Sequence, residues 1–246
     1  MGTIGNDIRP DHRVIFDWIE PGARVLDLGC GDGELIDLLS QRKDARVQGI
    51  ELDEKAIYEC VKKGLSVCQG DIETGLAEYP DRCFDYVILN QSLQEIRKAS
   101  FLLREALRVG ERAIVGFPNF AHIGARVSLF FGGRAPMTPS LPYRWYDTPN
   151  VRFLSIGDFR GVCAEMGFAV EKAAFLNEQK AITFWPNLRA LSAIFLLSGG
   201  AAGQRPASPK QYQPLHRSCG RGGDDPEPGH DGDRLFDRFG LLLLQP

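Results

Sequence analysis

Between residues 25 and 34 the chain reads Val25-Leu26-Asp27-Leu28-Gly29-Cys30-Gly31-Asp32-Gly33-Glu34, an apolar run followed by three glycines at alternate positions. Glycine turns tightly and lets backbone approach a ligand, as a nucleotide loop between a strand and a helix requires. The dinucleotide fingerprint would place its third glycine where Glu34 stands. Asp27, Asp32 and Glu34 would oppose a pyrophosphate, but they suit a cation. S-adenosylmethionine, with a sulfonium and an ammonium group, is such a ligand. Asp27, Gly29, Cys30 and Gly31 are therefore expected to contact it, against the plainer reading of a glycine turn with solvated acids.

Two further acids stand at matching places. Glu51, in Gly49-Ile50-Glu51-Leu52-Asp53, lies about twenty residues beyond the glycine loop at a strand end, where a carboxylate can accept both ribose hydroxyls, with Leu52 beside it. Asp53 fits a helix N-cap better than a ligand contact. Asp71, in Gln69-Gly70-Asp71-Ile72, can accept the adenine amino group while Ile72 packs near the ring; the alternative is a turn aspartate. Asn90 completes the expected set at the end of the fourth strand.

The elements that must carry these residues follow from the hydrophobic pattern. Val14, Ile15 and Trp18 mark a helix over 10–19, closed by Pro21-Gly22. Strands are predicted over 24–28, 47–50, 65–69, 84–89 and 113–117, and helices over 34–41, 54–63 and 99–107. Strict alternation implies parallel strands joined by right-handed crossovers. With 168–175 and 193–197 closing the edge as an antiparallel hairpin, the expected fold is α/β: a doubly wound, mostly parallel seven-stranded sheet, Rossmann-like, that binds ligands at the carboxyl ends of its strands. A helix is predicted over 156–167. The segment 118–155, rich in proline and in aromatic residues, is too apolar for a free linker and is expected to cap the carboxyl edge. One domain over 1–198 is expected. Residues 199–246 are dense in Gly, Pro, Arg and Asp without periodicity and are expected to be a disordered tail.

Composition narrows the function classes. The 246 residues carry a formal net charge of −3, which gives a nucleic-acid substrate no support from bulk electrostatics. The six cysteines form no C-x-x-C pair, so zinc and thioredoxin chemistry are not expected. No apolar run approaches bilayer length and no signal pattern opens the chain, so a cytoplasmic location is the default expectation.

The glycine loop with the acids after the second and third strands resembles class I S-adenosylmethionine-dependent methyltransferases over roughly residues 10–198. The resemblance is closer still to the MetW family of methionine-biosynthesis proteins. It is carried by Arg9-Pro10-Asp11, Trp18 to Gly22, Val25 to Glu34 and Phe84 to Leu89. More specific are Phe117-Pro118-Asn119-Phe120, Leu141 to Asn150 and Phe184-Trp185-Pro186-Asn187-Leu188, which generic methyltransferases lack. It implies a working partnership with homoserine O-acyltransferase (MetX), the enzyme that activates homoserine for methionine synthesis.

No residue stands out as a catalytic base. The run Asn90-Gln91-Ser92-Leu93-Gln94-Glu95 after the fourth strand lacks the Asn-Pro-Pro-Tyr motif of amide-nitrogen methylation. His122 is better read as bonding the cap backbone, and Asp85 at the start of the fourth strand as structural. Two readings stand: an S-adenosylmethionine-binding partner subunit of the acyltransferase, and a methyltransferase of an unidentified small-molecule acceptor.

Overall fold

The computed structural model describes residues 8–199 apart from Gly75 and Gln179. The tail expected over 199–246 lies, from residue 200 onward, outside the described residues. Eight strands form one sheet. In chain order they are β1 (Arg24–Leu28), β2 (Arg46–Glu51), β3 (Val67–Gln69), β4 (Phe84–Asn90), β5 (Gly110–Pro118), β6 (Phe168–Asn177), β7 (Lys180–Ala181) and β8 (Ser192–Gly199). The spatial order is β3-β2-β1-β4-β5-β8-β6-β7. The first five pair in parallel; β8 runs antiparallel to both β5 and β6. The expected terminal pair is thus present, but it is not a simple hairpin. The tight turn joins β6 to the two-residue β7, an eighth strand, and the chain then passes through a short helix before β8 inserts between β5 and β6.

The helices are α1 (Pro10–Trp18), α2 (Glu34–Lys43), α3 (Glu54–Lys62), α4 (Ala99–Val109), α5 (Ile123–Gly132), α6 (Ile156–Met166) and α7 (Pro186–Arg189). Alternation along the strands divides the core in two. Leu26, Leu28, Val87, Leu89, Val115, Phe117, Phe195 and Leu197 face Leu102, Leu103, Ala106, Phe159 and Cys163 of α4 and α6. Val25, Tyr86, Ile88, Ile114, Ile194 and Leu196 face Ile15, Ile19, Leu35, Ile36 and Leu39 on the side of α1 and α2. Strands buried on both faces read as continuous apolar runs, which is why β1, β4 and β5 were legible.

Local chemistry fixes the ends. Asp53 caps α3, accepting from the amides of Lys55 (2.7 Å) and Ala56 (3.2 Å). Ser155 and Asp158 form a reciprocal capping box at α6. Asp85 is structural: its carboxylate accepts from the Arg24 amide (2.8 Å) and guanidinium (2.6 Å), tying the start of β1 to β4.

The segment 118–155, expected to cap the carboxyl edge, lies between β5 and α6. It is anchored at the carboxyl edge, where the amides of Val151 and Arg152 donate to the Gln94 carbonyl and the Phe120 amide donates to Leu154. Within it the chain forms α5, a helix the sequence reading did not assign, and Phe130, Phe131, Tyr143, Trp145 and Tyr146 remain exposed.

Candidate functional site

Parallel strands end on one side of a sheet, and here the order reverses between β1 and β4. Neighbouring connections leave in opposite directions there and open a crevice. A cavity of about 630 Å3 lies at that point. All nine residues expected at the ligand line it: Asp27, Gly29, Cys30, Gly31, Glu51, Leu52, Asp71, Ile72 and Asn90. They come from the carboxyl ends of four adjacent parallel strands, β3, β2, β1 and β4.

The glycine loop is held by its neighbours. The amides of Gly29 and Cys30 both donate to the Ile50 carbonyl at the end of β2 (2.8 and 3.3 Å). Gly29, Gly31 and Gly33 all have positive φ. Gly33 also has no room for a side chain, since a Cβ there would stand 2.5 Å from Leu65 Cδ1 and 2.8 Å from Cys60 Sγ. The close approach of α2 to α3 therefore requires glycine at that position.

Glu51 reaches back over the loop. Its Oε2 accepts from the Gly31 amide (2.8 Å), and its Oε1 accepts from the amides of Leu52 (2.8 Å) and Asp53 (3.0 Å). A carboxylate oxygen has two lone pairs. Oε2 thus keeps one acceptor position open, whereas Oε1 would have to release an amide to take a second hydroxyl. Asp71 accepts from the Glu73 amide (2.8 Å), so the turn role is present; a carboxylate can accept more than one donor.

The electrostatics are acidic. Asp27 is 3% exposed, and burial, with the nearby charge of Glu51, pushes its carboxyl up to about 7. Burial and Glu51 also raise Glu95. Asp32, Glu34, Asp71 and Glu73 add to the wall, against Arg9, His12 and Arg97. No cluster of side chains suited to a metal ion occurs among the described residues. Nor is any described helix long and apolar enough to cross a membrane.

Sequence reasoning missed His12, which lines the cavity, and its neighbour Asp11, which holds the lining residue Asn90. Asp11 and His12, on the first turn of α1, are buried in line with Ile15 and Ile19. Asp11 accepts from Arg9 (2.6 Å) and from Asn90 Nδ2 (2.9 Å). Its carboxyl is held below its ordinary value: burial works against this, and the Asn90 hydrogen bond and the charges of His12 and Arg9 outweigh it. His12 Nδ1 sits 3.6 Å from Glu34 Oε2, and burial lowers the imidazole below its usual value. The available signal was a polar pair falling on the apolar face of a helix.

The post-β4 loop supplies Gln91, Ser92, Glu95, Ile96 and Arg97. Gln91 has φ +60, a strained value for a non-glycine residue, of the kind that clusters at functional sites. Three buried polar atoms among the cavity residues have no hydrogen-bond partner among the described residues: His12 Nδ1, Asn90 Oδ1 and Ser92 Oγ. Buried polar groups are normally paired. His122, by contrast, lies outside this lining. Its Nδ1 accepts from the Gly124 amide (3.1 Å) at the start of α5, the backbone role expected of it.

The cavity can therefore hold a mid-sized ligand that carries positive charge at the glycine loop and hydroxyl or amine donors toward Glu51 and Asp71. S-adenosylmethionine fits that donor set and that volume. Comparisons with known proteins agree with the architecture. Solved S-adenosylmethionine-dependent methyltransferases from Archaeoglobus fulgidus (TM-score 0.56, 15% identity, 76% of this chain and 91% of that one) and Mesorhizobium loti (TM-score 0.54, 15% identity, 77% and 96%) share the fold. The bifunctional methionine biosynthesis protein MetXA/MetW of Rhodopirellula baltica is 34% identical over 197 residues, 75% of this chain and 32% of that protein. The chain thus spans about a third of the length of that relative. The family model for methionine biosynthesis protein MetW matches residues 9–197, and the chain belongs to that family.

Proposed function

We propose that this chain is a partner subunit of homoserine O-acyltransferase (MetX), with S-adenosylmethionine or S-adenosylhomocysteine as its bound ligand. The observation that carries the partnership is the relative in which MetXA and MetW share one polypeptide. Covalent joining holds two bodies at high effective concentration, as suits two domains that work together. The ligand reading rests on the acidic cavity. Its glycine loop leaves backbone open to a ligand, Glu51 Oε2 and Asp71 offer acceptors, and Asp27 sets a buried carboxyl under the loop. S-adenosylmethionine lies downstream of methionine, so a partner subunit that binds it could report the state of the pathway to the acyltransferase.

One observation favours the second reading, methyl transfer to a small acceptor. His12 places a buried imidazole with an unpartnered nitrogen in the cavity wall, beside Glu34. When bound, S-adenosylmethionine supplies an electrophilic methyl group; His12 could hold the acceptor's proton. Co-purification separates the two readings. The full chain co-expressed with homoserine O-acyltransferase should elute with it as one complex. Elution apart, together with methyl transfer to a small molecule that His12→Ala abolishes, would favour the enzyme.

A further inference from the structure

The most conspicuous unassigned surface is helix α5. Ile123, Val127, Phe130 and Phe131 recur at helical spacing and are 44, 46, 82 and 80% exposed, while Ala125 is the helix's buried residue. An exposed apolar stripe of this kind is the mark of an interaction surface. The charge of the segment that contains the helix is as distinctive. Residues 118–155 carry Arg126, Arg134, Arg144 and Arg152 against Asp147 and no other acid, which makes +3 in a chain whose total is −3.

Among the described residues no carboxylate pairs with any of the four. Arg126 donates to the Ala121 carbonyl, Arg144 to the Tyr146 hydroxyl, and Arg152 to backbone carbonyls. Exposed aromatic rings among unneutralised arginines have the composition of interface anchors.

We infer that the exposed stripe of α5, with Arg126 on the helix and Arg134 just beyond it as its basic rim, is the surface that docks the acyltransferase, and that it fits an apolar patch edged by carboxylates. The inference rests on the partnership proposed above. Charge chooses between occupants. A second copy of this chain would bring one +3 segment against another, because a two-fold interface pairs each patch with itself. A carboxylate-edged partner would neutralise the rim and raise the association rate at low salt.

The full chain and its acyltransferase, purified separately, test this by surface-immobilised binding at low and high salt. Phe130→Glu/Phe131→Glu should raise Kd about tenfold or more, the usual effect of losing anchor residues. Arg134→Glu should slow association and flatten its salt dependence. Arg134 has no bonded partner among the described residues, so that variant keeps its fold whether or not the phenylalanine pair does. Unchanged S-adenosylmethionine binding by calorimetry reports that each variant is folded. Wild-type chain that does not bind the acyltransferase would overturn the partnership itself. Wild-type binding that both variants match would leave the partnership standing and overturn the surface.

Three other outcomes would also overturn the surface, each by naming another occupant. A wild-type dimer that the variants convert to monomer would assign the stripe to a second copy. Flotation with anionic vesicles that the variants lose would assign it to a lipid surface. Affinity gained on deleting residues 200–246 would assign it to this chain's own carboxyl-terminal segment.

Discussion

Replacing Asp27 by Asn is expected to stabilise the ligand-free protein above neutral pH while weakening its hold on S-adenosylmethionine. The carboxyl is buried beneath the glycine loop, and burial together with Glu51 raises it from 3.8 to about 7. No hydrogen-bond donor offsets that burial among the described residues. A carboxyl raised on folding binds its proton more tightly in the native than in the unfolded state. Its stabilising contribution is therefore whole below pH 4 and is lost as pH climbs toward 7. At about 1.4 kcal/mol per pKa unit, the interval from 3.8 to about 7 is on the order of 4 kcal/mol. Asparagine keeps the shape and removes the charge. Thermal unfolding of the ligand-free Asp27→Asn variant should match wild type near pH 4 and exceed it by several degrees at pH 8. A cation at the loop favours the ionised carboxyl, so wild-type affinity should rise between pH 5.5 and 7, by at most about tenfold per pH unit, and level off above. The variant should lack that slope. Parallel stability profiles for the two proteins, or a wild-type affinity flat across this range, would refute the reasoning.

Other expectations follow from the same geometry. Calorimetry should show binding of S-adenosylmethionine and S-adenosylhomocysteine but not of NAD; comparable affinity for NAD would contradict the charge reading. Glu51→Ala removes a carboxylate that three backbone amides share, and should weaken the ligand by about a hundredfold while lowering stability by about 1–3 kcal/mol, as read by calorimetry and denaturant titration. Gly116→Ala would set a Cβ 2.2 Å from Asn90 Oδ1, displacing Asn90 from Asp11; ligand affinity should fall about tenfold, and an unchanged value would show that Asn90 is not a contact. Phe195→Ala, at the centre of the rings of Phe117, Phe159 and Phe175, should cost about 3–5 kcal/mol in chemical denaturation.

The strands and the residues that line the cavity were legible because each carries its own local signal. The doubly buried strands are continuous apolar runs, and Asp53 and Asp71 occupy their turns by the short side-chain chemistry that suits caps and Asx turns. What stayed hidden depends on contacts distant in sequence. Asp11 meets Asn90 across 79 positions, and nothing in the pattern around either residue announces the other. Gln91 adopts φ +60, which sequence assigns to glycine by default. Helix α5 was missed for a different reason. Its apolar residues face out rather than into a core, and the prolines and paired glycines after it read as loop. The insertion of β8 between β5 and β6 was also out of reach, because apolar alternation reports that a strand is buried and not which neighbours it chooses.

The proposed partnership requires that this chain sustain acyl transfer to homoserine by binding to the acyltransferase. Its most direct test measures that reaction with purified homoserine O-acyltransferase alone and with increasing amounts of the full chain. Activity should rise and saturate at a fixed ratio of the two proteins, and should respond to S-adenosylmethionine only when the chain is present. Full acyltransferase activity without the chain, unchanged on adding it with or without S-adenosylmethionine, would rule the partnership out.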